Sequence, residues 1–134
     1  PEQLESALEL EVQNLASMIL LSQADGTYQT KKLPREAQFS PIYGIAIQDF
    51  DADGKEDVLL AGNFYNAKPE VGRYDASYGL FLKGDGTGNF EVQTPKQSGF
   101  GVDGEVRDLE SIKIQGKSYI LVARNSDRIE VFRY

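Results

Sequence analysis

The chain contains no cysteine and no histidine. Without cysteine there are no disulfide staples, no thiolate nucleophile and no thiolate metal site, a composition compatible with an extracytoplasmic bacterial protein. Without histidine the commonest general base and transition-metal ligand is missing. Basic residues are scarce and scattered, 14 Lys and Arg against 21 Asp and Glu, for a net charge of −7. Phosphate binding needs clustered cations, so nucleic acid is excluded as a partner, whereas cation binding is favoured. No apolar run approaches the roughly eighteen residues of a spanning helix, and no transmembrane segment is expected. The chain opens at Pro1 rather than Met, as expected of a processed or excised piece whose targeting signal is out of view. Together the absences leave little room for an enzyme.

What is present starts with a metal-binding pattern. Asp49-Phe50-Asp51-Ala52-Asp53-Gly54-Lys55-Glu56-Asp57 places acids at the first, third, fifth and ninth positions, with glycine at the sixth. Calcium takes six to eight oxygen ligands, and alternate residues of a tight loop aim carboxylates at one point while a backbone carbonyl, here that of Lys55, fills the seventh place. Gly54 permits the sharp turn. An EF-hand would carry Glu at the twelfth position and open into a helix, but that position is Leu60, and both flanks alternate as strands do. The competing reading is an acidic β-turn without a ligand; four carboxylates so close together repel one another unless neutralised, which favours the metal.

The 134 residues, 40% hydrophobic and 26% charged, fit one globular domain. Acidic residues near Pro1 predict a helical turn over Pro1 to Ala7. Leu8, Leu10 and Val12 alternate with Glu9, Glu11 and Gln13 in the period of a half-exposed strand, with a helix running through to Leu21 as the competitor. A hairpin is expected around Ala24-Asp25-Gly26, a strand pair around the acidic loop, a second hairpin around Gly84 to Gly88, and further strands over Glu105 to Ile114, Tyr119 to Ala123 and Ile129 to Tyr134. The glycine run lacks Lys-Ser/Thr and opens a strand, so it is a turn rather than a phosphate loop.

The segments repeat. Val58-Leu59-Leu60-Ala61-Gly62-Asn63 aligns with Ile120-Leu121-Val122-Ala123-Arg124-Asn125, 62 residues on, and Tyr28 aligns with Phe90. At that offset Gly54 and Lys55 fall on Gly116 and Lys117, while the four acids fall on Ser111, Lys113, Gln115 and Tyr119. One metal site is therefore expected, not two. A unit of about sixty residues with four short strands is the size of a propeller blade with an enlarged loop.

The acidic loop followed by a Gly-Asp-Gly-x-Gly-x-Phe hairpin resembles the FG-GAP/VCBS repeats of integrin-α-type β-propellers. Leu33 to Gln38, Ala61 to Tyr65, Gly72 to Gly79 and Gly104 to Leu109 are similar to the C-terminal end of large bacterial VCBS-repeat surface proteins. The resemblance covers roughly Leu15 to Tyr134. It implies calcium held by Asp49, Asp51, Asp53 and Asp57, an extracytoplasmic setting (secreted, cell surface or periplasmic) and no established catalysis. The expected fold is all-β, a partial β-propeller of about two four-stranded antiparallel blades, with a hairpin and connector over residues 1–43, a complete calcium-loop blade over 44–93 and a partial blade over 94–134. Two blades do not close a ring, so further blades or self-association are the expected partners.

The long segment Phe64 to Tyr78 offers Tyr65, Glu70, Arg73, Tyr74 and Asp75 as a surface for a carbohydrate or protein ligand. The plainer alternative is that Arg73 pairs with Asp75 or Glu70 to order the loop, and Arg107 with Asp108 or Glu105 likewise. Glu70 and Asp75 are also the nominees should the region be a hydrolase.

Overall fold

The computed structural model describes residues 7–134. The helical turn expected before Ala7 lies outside the described residues. Residues 7–17 are in neither helix nor strand, so the strand expected over Leu8 to Val12 is not formed, nor is its helical competitor. A strand exists only by pairing, and this segment has no partner: Leu8 and Leu10 are 83% and 82% exposed.

From residue 18 onward the chain is almost entirely β: β1 (Met18–Ser22), β2 (Tyr28–Lys32), β3 (Ile42–Gln48), β4 (Asp57–Gly62), β5 (Leu80–Gly84), β6 (Phe90–Gln93), β7 (Val106–Ile114), β8 (Lys117–Arg124) and β9 (Glu130–Arg133). The strands make three antiparallel sheets, β1-β2, β3-β4-β5-β6 and β7-β8-β9. Only the middle sheet has the expected four strands, and among the described residues the sheets close into neither barrel nor ring. Two connectors hold short helical turns that alternation does not reveal, a 3₁₀ turn at Arg35–Gln38 and a single α-turn, α1, at Pro95–Ser98. The second follows Thr94, whose backbone N–H donates to Gln97 Oε1 at 2.9 Å, and stops at left-handed Gly99. No helix among the described residues is long and apolar enough to cross a membrane.

The middle sheet is covered on both faces, which explains why all of β4 is buried. Its residues alternate between two cores. Leu59 and Ala61 join Phe81, Val106, Leu109, Ile120 and Val122 against the third sheet, while Val58 and Leu60 join Leu82 and Ala37 of the 3₁₀ turn on the opposite face. Full burial of a Leu or Ile such as Leu82 or Ile120, both 0% exposed, contributes about 1.5–3 kcal/mol. The inner strands β3 and β7 approach closely: a Cβ on Gly44 would lie 2.8 Å from Leu109 Cγ. Each inner strand bulges near its start, between Ile42 and Gly44 in β3 and between Val106 and Asp108 in β7.

These bulges sharpen the internal alignment. They match at an offset of 64 (106 less 42), whereas the second strands match at 62, Gly62 pairing with Ile42 as Arg124 pairs with Val106. The acidic loop thus carries two residues more than its counterpart, where pairing continues to Ile114 and Lys117 across a tight Gln115-Gly116 turn. In space Asp49 and Asp51 answer to Lys113 and Gln115, not to Ser111 and Lys113. The first hairpin also repeats. Asp25 Oδ1 accepts from Thr27 N and Oγ1 at 3.0 and 2.7 Å, and Asp85 Oδ1 accepts from Thr87 N and Oγ1, both at 2.7 Å.

Candidate metal site

The acidic loop leaves β3 at Gln48 and re-enters the sheet at Asp57, and its carboxylates hold its own backbone. Asp49 accepts from Asp53 N at 3.1 Å and Gly54 N at 2.9 Å. Asp51 Oδ1 accepts from Asp53 N at 3.2 Å, and Asp53 Oδ1 from Lys55 N at 3.0 Å. Ala52 and Gly54 take positive φ of 61° and 85°, turning successive amide N–H groups inward. Asp57 is fully buried; its Oδ2 accepts from Phe50 N at 3.1 Å and its Oδ1 from Gly84 N at 2.9 Å. That carboxylate pins both the loop entrance and the end of β5. Gly84 is required there, because a Cβ would stand 1.9 Å from Glu56 O.

The structure brings Asp49, Asp51 and Asp57 together, one oxygen of each within 4.8 Å of the others. Asp53 is outside that group and turns to Lys83 of β5, with Nζ 3.1 Å from its Oδ2. The same ammonium is paired with Asp51 Oδ2. Hydrogen bonds that Lys83 donates to Asp51 and then Asp53 push its amine well above its ordinary value, and Lys83 in turn holds the Asp53 carboxyl below the usual carboxylate range. Lys55 contributes its N–H, and its own ammonium lies 3.8 Å from Asp53 Oδ2. Carboxylate oxygens are hard donors suited to Ca²⁺ or Mg²⁺, and each retains a lone pair beyond its hydrogen bond. An acidic triad able to hold a cation is therefore present. Lys83 is the part that sequence reading missed; it enters the site only through the β4-β5 pairing.

The second candidate surface is organised differently from expectation. Phe64 and Tyr74 bridge through backbone hydrogen bonds of 2.8 and 2.9 Å, so the long segment is a closed excursion. Arg73 stacks on the Tyr65 ring at 4.9 Å, and among the described residues no ion pair joins it to Glu70 or Asp75. Glu70, Arg73, Tyr74 and Asp75 are exposed, Tyr65 half-buried. Burial first, then the charge of Asp103, raises the Tyr65 phenol above its ordinary value. Glu70 and Asp75 do not line the cleft walled by Phe81, Phe100 and Phe132.

Beneath that loop is a polar junction of which the pair of Arg107 with Glu105 was an expected alternative and the rest was not. Glu105, 3% exposed, accepts from Tyr65 N at 2.9 Å and Asn125 Nδ2 at 2.6 Å, and pairs with Arg107. Its carboxyl is held below the usual range by the Asn125 hydrogen bond first and the Tyr65 amide second, against desolvation. Arg107 stacks on Tyr43 at 4.4 Å. Buried Asn63 donates to Ser77 O and Gly104 O at 2.7 and 2.9 Å. The alignment of Asn63 with Asn125 was the available signal, since each closes the strand that precedes it.

No family model, no curated protein and no solved structure matches the chain.

Proposed function

We propose that the chain is a calcium-binding, non-catalytic segment of an extracytoplasmic β-propeller of the FG-GAP/VCBS type, in which the ion stiffens an inter-strand loop and neighbouring surfaces serve adhesion, assembly or ligand binding. The carrying observation is the convergence of Asp49, Asp51 and Asp57 in a loop two residues longer than its acid-free counterpart at Lys113 to Ser118. The sheets do not need four carboxylates to make that turn. The donors are all oxygens, the chemistry that Ca²⁺ selects. Asp49, Asp51 and Asp57 would hold the ion, with Asp53 joining when Lys83 yields it. Repetition of the hairpin and of the bulged inner strand supports blade-like units. An exposed Tyr74, and the Arg73-Tyr65 stack beside it, suit a sugar or protein surface.

A second reading has its own support: Lys83 already neutralises Asp51 and Asp53, which lets the loop serve as a structural turn with a built-in counter-charge. Calorimetric titration of the chelator-treated chain with CaCl₂ separates the two. The calcium reading expects one site per chain, lost in Asp49→Asn; absence of binding heat at millimolar calcium leaves the structural turn.

A further inference from the structure

The middle and third sheets approach most closely where β3 and β4 meet β7, and four strands face three. Between β5, β6 and α1 on one side and β8 and β9 on the other lies a cleft of about 350 Å³. Phe81, Phe100, Phe132 and Tyr134 line its walls, with Asp51, Lys83 and Gln93 among its polar residues. β9 is an edge strand, paired with β8 alone; it exposes Val131 (54%), and Ile129 just before it is 65% exposed. Edges with apolar residues and free backbone groups template the addition of another strand. Among the described residues the chain carries a segment of strand period without a partner. Leu8, Leu10 and Val12 alternate with Glu9, Glu11 and Gln13, all exposed and outside any sheet.

We propose that residues Leu8 to Gln13 of a second copy of this chain add to the edge of β9, completing the third sheet. Leu8, Leu10 and Val12 then cover the aromatic cleft, and Glu9 and Glu11 lie on the face that carries Arg133, with opposite charges across neighbouring strands. Six residues extend about 20 Å, ample to cover β9. The donor is assigned to a different molecule because within one chain residues 7–17 pair with no strand, β9 included, although Ser17 itself is fixed by Gln38 and Leu33. The free edge of β1 is within reach, yet residues 7–17 do not pair with it. Reciprocal donation closes a two-fold dimer. The inference does not require bound calcium, but Asp51 and Lys83 of the acidic site border the cleft.

Sedimentation velocity on the whole chain, with and without chelator, tests this. The expected result is a species of twice the 14.9 kDa monomer in both buffers. Leu10→Pro breaks the donor and Val131→Glu repels it at the acceptor; each alone should be monomeric with wild-type circular dichroism, both positions being exposed. Mixed together they should form a 1:1 complex, because one retains a donor and the other an acceptor. A wild-type monomer at all concentrations up to about 1 mM, a Leu10→Pro variant that dimerises like wild type, or a mixture that stays monomeric would each overturn the proposal. Slowed amide exchange over residues 8–13 in a monomeric sample would overturn it too, by showing pairing within one chain.

Discussion

Removing the Glu105 carboxylate should destabilise the fold more than any exposed substitution. Glu105→Ala leaves the Tyr65 amide and the Asn125 side-chain amide without an acceptor in a site that is 3% exposed, and each unsatisfied buried donor costs about 1–3 kcal/mol. Arg107 loses its partner but is partly exposed and remains stacked on Tyr43, so it turns to water and adds little. The sum is about 3 kcal/mol, near the lower end for breaking a buried pair, and it corresponds to a fall in Tm of roughly 10 °C for a domain of this size. Urea denaturation at pH 7 measures it, with exposed Glu91→Ala as a control within about 0.5 kcal/mol of wild type. The pH dependence has a definite sign. The folded carboxyl of Glu105 titrates below its unfolded value, so its contribution is complete above about pH 4.3 and fades as pH falls through the lowered folded value. The gap between wild type and Glu105→Ala should therefore narrow as the pH is lowered towards 3. A loss under about 1 kcal/mol at pH 7, or a gap that widens in acid, would refute this account of the junction.

Other perturbations separate the roles within the acidic loop. Lys83→Met frees Asp51 and Asp53 from their ammonium, so calcium affinity should rise by about twofold to fivefold while the calcium-free protein melts lower; titration calorimetry and melting curves read the two opposite effects, and a lower calcium affinity would contradict the competition. Gly84→Ala drives a Cβ to within 1.9 Å of Glu56 O and displaces the amide that holds Asp57. A stability loss of about 1–3 kcal/mol with weakened calcium binding is expected in urea titrations of both forms, and an unchanged midpoint would show that the loop does not depend on this contact.

Much of the architecture was legible because period and turn chemistry act locally. Leu59 and Ala61 against Val58 and Leu60 divide between two cores as alternation requires, and Asp25-Gly26 and Asp85-Gly86 make the turns their residue types favour. The loop spacing likewise anticipated that Asp49, Asp51 and Asp57 meet. What failed to show depends on distant partners. Leu8 to Val12 has the period of a strand, but period encodes which faces are apolar, not whether an edge is available. Asp53 turns away from the triad because Lys83, thirty residues later, is brought beside it. Glu105 meets Tyr65 and Asn125 through the packing of two sheets; the repeat of Asn63 at Asn125 and the nearby Arg107 were the sequence signals, and neither names Tyr65 as a partner. The two-residue difference between the loops was hidden because a single offset cannot fit both strands of a pair when their connection changes length.

The most direct test of the central claim is the melting temperature of the chain with excess chelator and with calcium, for wild type and Asp51→Ala. At a calcium concentration one hundred times Kd, binding to the folded state alone adds about 2.7 kcal/mol, a rise of roughly 10 °C. The calcium account predicts that rise for wild type and its loss in Asp51→Ala; identical wild-type curves in chelator and calcium would contradict it.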